Sequence, residues 1–307
     1  MKVRSPLLSL ALVFFASLNI HAQTTWVGSV DDAFSTLANW SGGAPTDSNL
    51  LFGSTAQPFI RVDSSVAVKS LTFSGPAYTF STDNGSILSI DSGGINVAQA
   101  TGPIDFGAPL SVQLLTSQTW TIDGVLHVAG PITNADATNP TALTKTGTGT
   151  LILGGNSNFN GGVLLQQGAL LVSSGSTTAG GTITGGSLGI GLVTIEGNSI
   201  FGAINSGVTL ANPISLGSGA VLTSGNGHDR ESGLTLSGPV TAASSNMLVN
   251  LSSNNPIIFS GSLDGPADTA FRFASTSTNA LDGAVFASAI GANVVSVTAD
   301  RSALFFA

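Results

Sequence analysis

Beyond residue 40 the chain is a succession of short apolar alternations, each closed by Gly, Asn, Asp or Pro. Val66–Phe73 (VAVKSLTF), Ile87–Ile90, Thr119–Val128 (TWTIDGVLHV), Leu143–Leu153, Val163–Val172, Leu210–Leu216, Leu234–Leu236 and Ile257–Phe259 all show it. Alternation with period two puts the apolar side chains of a strand on one face, and the closing residues supply turns. No window of about 12 residues holds an apolar helical period except within residues 1–22 and in Ala280–Ile290. The chain is therefore predicted to be all-β with almost no helix. Its composition agrees, since the 39 Gly and the scarcity of Glu and Lys leave few strong helix formers.

Only 8% of the residues are charged, where an ordinary soluble domain carries about 25%. With 42% hydrophobic residues and a mean hydropathy of +0.39, the chain must bury a core rather than stay disordered. A sandwich, a barrel and a solenoid all remain open at this point. Asn84-Gly85, Asp123-Gly124 and Asn226-Gly227 are hairpin-type turn signals. Turn signals nevertheless recur from residue 23 to residue 307 without a linker or a shift in composition, which is long for one sandwich. A parallel β-helix grows coil by coil, each of roughly 20 residues stacked about 4.8 Å above the last, and satisfies its backbone groups between coils. The expected fold is a right-handed parallel β-helix forming a single domain over residues 23–307.

Residues 1–22 read as a cleaved secretory signal peptide, with Lys2 and Arg4 at its start, an apolar run from Pro6 to Ile20, and small Ala22 before Gln23. The run is shorter than the roughly 20 residues a bilayer span requires, so no stable membrane span is expected in the mature chain. Without Lys2 and Arg4, 6 basic residues face 16 acidic ones, a net charge of −10. Nucleic acid is then an unsuitable partner, because phosphate binding needs a basic face. The chain has no Cys, which excludes disulfides, thiolate zinc sites and a cysteine nucleophile. The expected location is secreted or on the outer cell surface.

Leu143–Val172 reads LTKTGTGTLILGGNSNFNGGVLLQQGALLV and resembles the autotransporter-associated β-strand repeat, also called the passenger-associated transport repeat. Leu143, Lys145, Gly147, Gly149, Leu151 and Leu153 match that family's first strand. Gly155, Asn156, Phe159 and Gly161 match its turn, and Gly168 and Leu170 its close. Val163 and Leu164 depart from its usual Thr-Thr. Trp26-Val27-Gly28, Ala38-Asn39-Trp40, Gly43, Pro45, Asp47 and Leu51-Phe52-Gly53 are similar to the leader that opens many such proteins, with two Trp capping the first coil. The resemblance implies a β-helical passenger at the cell surface or outside the cell, and no common catalytic activity. A self-exporting member would carry a C-terminal membrane barrel of upwards of about 200 residues; the sequence after Leu234 does not offer one, so export by another system, or a longer chain, is expected.

No residue is assigned to catalysis and no cofactor is implied. Asp63, Asp83, Asp105 and Asp123 recur at separations close to one coil. In register they would form a carboxylate column able to bind calcium, although Asp83-Asn84-Gly85 and Asp123-Gly124 are also ordinary turn chemistry. Gly225–Glu231 (GNGHDRE) is the densest ionisable cluster; it is either a solvated loop or an acid/base site. His127 and Asp123 share a strand face but lie about 13 Å apart if extended, too far to pair. Gly185-Gly186-Ser187-Leu188-Gly189 fits G-x-S-x-G by chance, with no helix after it. The Gly-x-Gly pairs lack the third Gly of a dinucleotide loop. The functional expectation is an exported structural and adhesive protein contacting extracellular polysaccharide or another surface protein. The alternative is a β-helical polysaccharide-degrading lyase or hydrolase using His228–Glu231.

Overall fold

The computed structural model describes residues 23–54, 57–224, 233–252, 255–275, 283–301 and 303–306. The predicted signal peptide and the His228–Glu231 loop lie outside the described residues.

The described chain winds as a parallel β-solenoid of about 11 turns. Its walls are a 14-stranded sheet, an 11-stranded sheet and, from Thr209 onward, a 5-stranded sheet. Successive coils pair in parallel. Thus Gln118–Thr121 lies beside Leu143–Thr146, and Leu143–Lys145 beside Val163–Leu165. In the three walls the parallel neighbours come from the next coil, so wall strands joined by a tight turn do not pair with one another. That is why Asn84-Gly85 and Asp123-Gly124 make solenoid corners and not hairpins: Tyr78–Ser81 and Ile87–Val97 belong to different sheets, as do Gln118–Ile122 and Val125–Val128.

The alternation read from the sequence is the inward–outward alternation of the walls. Across the best repeat, Leu143, Lys145, Leu151 and Leu153 are buried, and Thr144, Thr146 and Thr150 lie partly open between them. Coil lengths are less regular than expected: Leu143 pairs Val163, 20 residues on, whereas Val163 pairs Val193, 30 residues on. The extra length leaves the wall at the corners, so register within the sheets survives it. In the described part of Ala280–Ile290, Gly283–Phe286 is a strand of the third sheet. The expected helical period there is an apolar run packed into the core through Ala284 and Phe286.

Aromatic side chains fill the first half of the core. Phe52 stacks on Phe73 with ring centroids 4.8 Å apart, and Phe80 meets Phe106 at 4.8 Å. At the N-terminal end, Trp40–Ser41 turns back antiparallel onto Gln23–Trp26. There Trp26 meets Trp40 edge-on at 5.0 Å, and Trp40 meets Phe34 at 4.9 Å. This aromatic plug packs against the first coil.

Candidate functional site

The longest coil carries the solenoid's one protruding element among the described residues. Between Ala169–Val172 and Val193–Ile195, the chain leaves the wall as an antiparallel hairpin, Ser176–Ala179 with Thr182–Gly186. Gly180 and Gly181, both at positive φ, form its two-residue turn, the backbone that two-residue hairpins favour. Asn212 pins the base. Its side chain is buried, accepts from the Ser176 hydroxyl at 3.0 Å, and donates to the Gly189 and Gly191 carbonyls at 3.1 and 3.0 Å. Between hairpin and wall runs a groove of about 670 Å3, lined by Thr178, Thr182, Ile183, Ile190, Ser237 and Pro239 among others. Sequence reasoning missed this hairpin. Gly180-Gly181 between STTA and TITGG was the signal that could have found it.

A second groove, of about 370 Å3, follows a solenoid corner past Thr148, Thr150, Gln167, Asn198 and Ile200. Among the described residues, no ionisable side chain lines either groove. The cause is compositional: from Thr146 to Leu263 the only charged residues are Glu196, Asp229, Arg230 and Glu231. Part of the sheet between the corners is likewise neutral. On the 14-stranded sheet, Thr72, Asn96, Thr121 and Thr146 stand in one ladder column. The Thr121 and Thr146 hydroxyls are 3.0 Å apart. The neighbouring column places Thr144 beside Thr119. Such surfaces offer hydroxyl and amide donors and acceptors at the strand spacing of about 4.8 Å, without charge.

The four aspartates do not stack. Ladder pairs at Phe59–Arg61 and Thr79–Ser81 set one coil at 20 residues there, which brings Asp83 above Asp63. Asp105 then pairs with Thr79, and Asp123 sits at another corner, after Gln118–Ile122. Each is engaged locally. Asp63 accepts from the Ser35 amide at 3.0 Å and its hydroxyl at 2.5 Å. Burial pushes the Asp63 carboxyl up, but these hydrogen bonds outweigh it and hold it below its ordinary value. Asp83 lies 3.8 Å from Arg61, which also holds Asp32 at 3.1 Å. Asp123 accepts from the Thr148 amide at 2.8 Å. Among the described residues, no group of three or more His, Cys, Asp or Glu side chains converges on a point where a metal ion could bind.

His127 finds its partner on the preceding coil and not on its own. Its Nδ1 lies 3.1 Å from Asp105 Oδ1, the ladder neighbour 22 residues earlier. That oxygen is buried and takes no hydrogen bond of good geometry, so the imidazole is its close electrostatic contact. The pair has the makings of a base and its orienting group. It lacks a third member, because Ile152 is the next residue in the column and, among the described residues, no hydroxyl bonds the imidazole.

Lys145 is a charged residue turned into the core. Fully buried, it donates through Nζ to the carbonyls of Gly147 at 2.7 Å, Thr146 at 2.9 Å, Gln167 at 3.0 Å and Ile122 at 3.3 Å. Burial lowers its ammonium to about 8, against the attraction of Asp123. Gly168 makes room: at φ +75°, a Cβ there would fall 2.5 Å from two carbonyl oxygens and 2.8 Å from Nζ. Lys145 thus closes a corner from inside by capping carbonyls of three coils, and it faces no groove. Among the described residues, no helix is long and apolar enough to cross a membrane. Comparison with family models, with curated proteins and with solved structures finds no match to this chain.

Proposed function

We propose that this protein is an exported structural and adhesive element of the cell surface or extracellular space, whose neutral hydroxyl-rich walls and grooves contact extracellular polysaccharide or another surface protein. The observation that carries this reading is the solenoid's middle, almost free of charged residues from Thr146 to Leu263, with a groove of about 670 Å3 under the Ser176–Gly186 hairpin. Neutral sugars are bound through hydroxyl hydrogen bonds and apolar contact, and such a groove supplies both, from Thr178, Thr182 and Ser237 on one hand and Ile183, Ile190 and Pro239 on the other. A polymer-cleaving site would need an acid and a base converging beside the bound chain, and neither groove has one among its lining residues. The resemblance of Leu143–Val172 to a passenger repeat supports the same reading.

The test is incubation of the purified chain with neutral and acidic polysaccharides, with and without calcium, followed by size-exclusion chromatography. Co-elution of a neutral polysaccharide at unchanged polymer length is expected, and should weaken when Thr182 and Ser237 are replaced by Asp. Shortened polymer, restored to full length by changing His228 or Arg230, would establish the polysaccharide-degrading alternative instead.

A further inference from the structure

The groove under the Ser176–Gly186 hairpin has a floor that repeats. Val193, Ile214 and Val240 open successive strands of the 14-stranded sheet and stand in one ladder column. Ile190, Ala211 and Ser237 each lie three residues ahead of one of them, and all three line the groove. Backbone hydrogen bonds stack the corners that carry them: the Val193 amide donates to the Pro213 carbonyl at 2.9 Å, the Ile214 amide to Pro239 at 2.8 Å and the Ser237 amide to Leu210 at 2.7 Å. Gly238 lets two of these corners approach closely, since a Cβ there would fall 2.3 Å from the carbonyl oxygens of Ala211 and Asn212. The floor therefore runs along the solenoid axis across three coils, one residue from each, at the ladder spacing of about 4.8 Å. The hairpin supplies the other side. Its base is tied to the wall by Thr177 on Asn156 at 3.1 Å and by Ser176 on Asn212 at 3.0 Å, while Thr178, Thr182 and Ile183 nearer its tip line the groove.

We propose that this groove holds a straight, neutral, β-1,4-linked glycan lying along the solenoid axis, with one sugar unit over each of the three coils. The inference rests on the polysaccharide-contacting reading above and names the class of polymer. Successive rings of a β-1,4-linked chain form an extended ribbon whose repeat is close to the coil spacing, so each ring meets an equivalent position of the floor. An α-1,4-linked chain coils and would carry its next ring off the floor. The lining chemistry suits flat rings: Ile190 and Ala211 offer apolar contact to the C–H face of a ring, and the Ser237, Thr178 and Thr182 hydroxyls offer hydrogen bonds to the hydroxyls at its edge. A uronate chain would bring carboxylates into a groove whose described lining holds no Lys or Arg to meet them. Positions in series act together, because once the first ring is bound the next adds contacts without a second loss of translational freedom. Affinity should then grow with chain length until three coils are covered.

The test is isothermal titration calorimetry of the full chain with cello- and manno-oligosaccharides of increasing length from the single sugar upward, and with malto-oligosaccharides of the same lengths. In the β-linked series, affinity should rise at least about tenfold from one unit to three and then level off, and the malto series should show no such rise. Ala211→Phe, which fills the middle position of the floor, should bring the trisaccharide down to the affinity of the single sugar, while Val30→Phe, exposed near the N-terminal end, should leave it unchanged. Circular dichroism establishes the folding of each variant, and if Ala211→Phe does not fold, the length series on the unaltered chain decides the matter. Affinity that is independent of length, that favours the malto series, or that is untouched in folded Ala211→Phe would overturn the proposal. So would co-elution of polysaccharides with no binding of any β-linked oligosaccharide, which leaves the adhesive reading in place. Absence of binding by every oligosaccharide and every polysaccharide would remove both.

Discussion

Lys145 shows how an inward position can be polar in a fold held together by burial. An ammonium has three N–H groups, and here they serve four corner carbonyls, of which that of Ile122 also accepts from the Gly149 amide. Lys145→Met keeps the volume and removes the donors. It should cost about 2 kcal/mol or more, since each unsatisfied buried carbonyl carries a desolvation penalty; urea unfolding measures this. The lowered value of about 8, against 10.5 in the unfolded chain, sets the sign of the pH response. Between these values the unfolded chain binds more protons than the folded one, so stability should rise with pH. Thermal unfolding from pH 8 to 10.5 should show that rise in the unaltered chain, and Lys145→Met should lack it. Gly168→Ala should be destabilising in the same assay, because positive φ and the crowded Nζ both oppose a methyl group there.

Each coil depends on its neighbours for both hydrogen bonds and core, and this decides which changes are severe. Leu151 and Leu153 are inside, with ladder partners on both sides. Replacing either by Asp should cost more than about 4 kcal/mol, because a buried carboxylate has no cation to meet; an unchanged melting curve would place these side chains outside the core. The Ser176–Gly186 hairpin is the opposite case. Its arms are mostly exposed and pair with each other, so shortening it to a Gly-Gly link should change the melting temperature little while removing the glycan co-elution. The N-terminal plug is the acid-sensitive element. Hydrogen bonds from the Ala33 amide and the Asn39 side chain hold Asp31 below its ordinary value, and those from Ser35 do the same for Asp63 against burial. Both therefore stabilise the fold above pH 3.8 and lose that contribution as pH falls further. With Trp120 replaced by Phe, emission from Trp26 and Trp40 should shift red as pH drops below 3.8, before the far-ultraviolet signal of the solenoid changes.

For the molecule as a whole, the class of fold is written in its local chemistry. Period-two alternation bounded by turn residues says strand, wall and corner, and the scarcity of helix formers says that nothing else competes; these are properties of each short segment taken alone. The inward set of Leu143–Leu153 was readable for that reason, including Lys145 on the buried side, although its role as a corner cap was not. Ladder register is another matter. It depends on how many residues each corner absorbs, and the coils run from 19 to 31 residues. Equal sequence spacing therefore did not stack Asp63, Asp83, Asp105 and Asp123, and His127 met Asp105, one coil away, in place of Asp123 on its own strand. The sequence by itself determined that the chain is all-β, repetitive and neutral over its middle, because period, propensity and charge are local. Only the tertiary structure decided which polar groups meet and where a hairpin leaves the wall, because those follow from the summed lengths of corners between strands far apart in the chain.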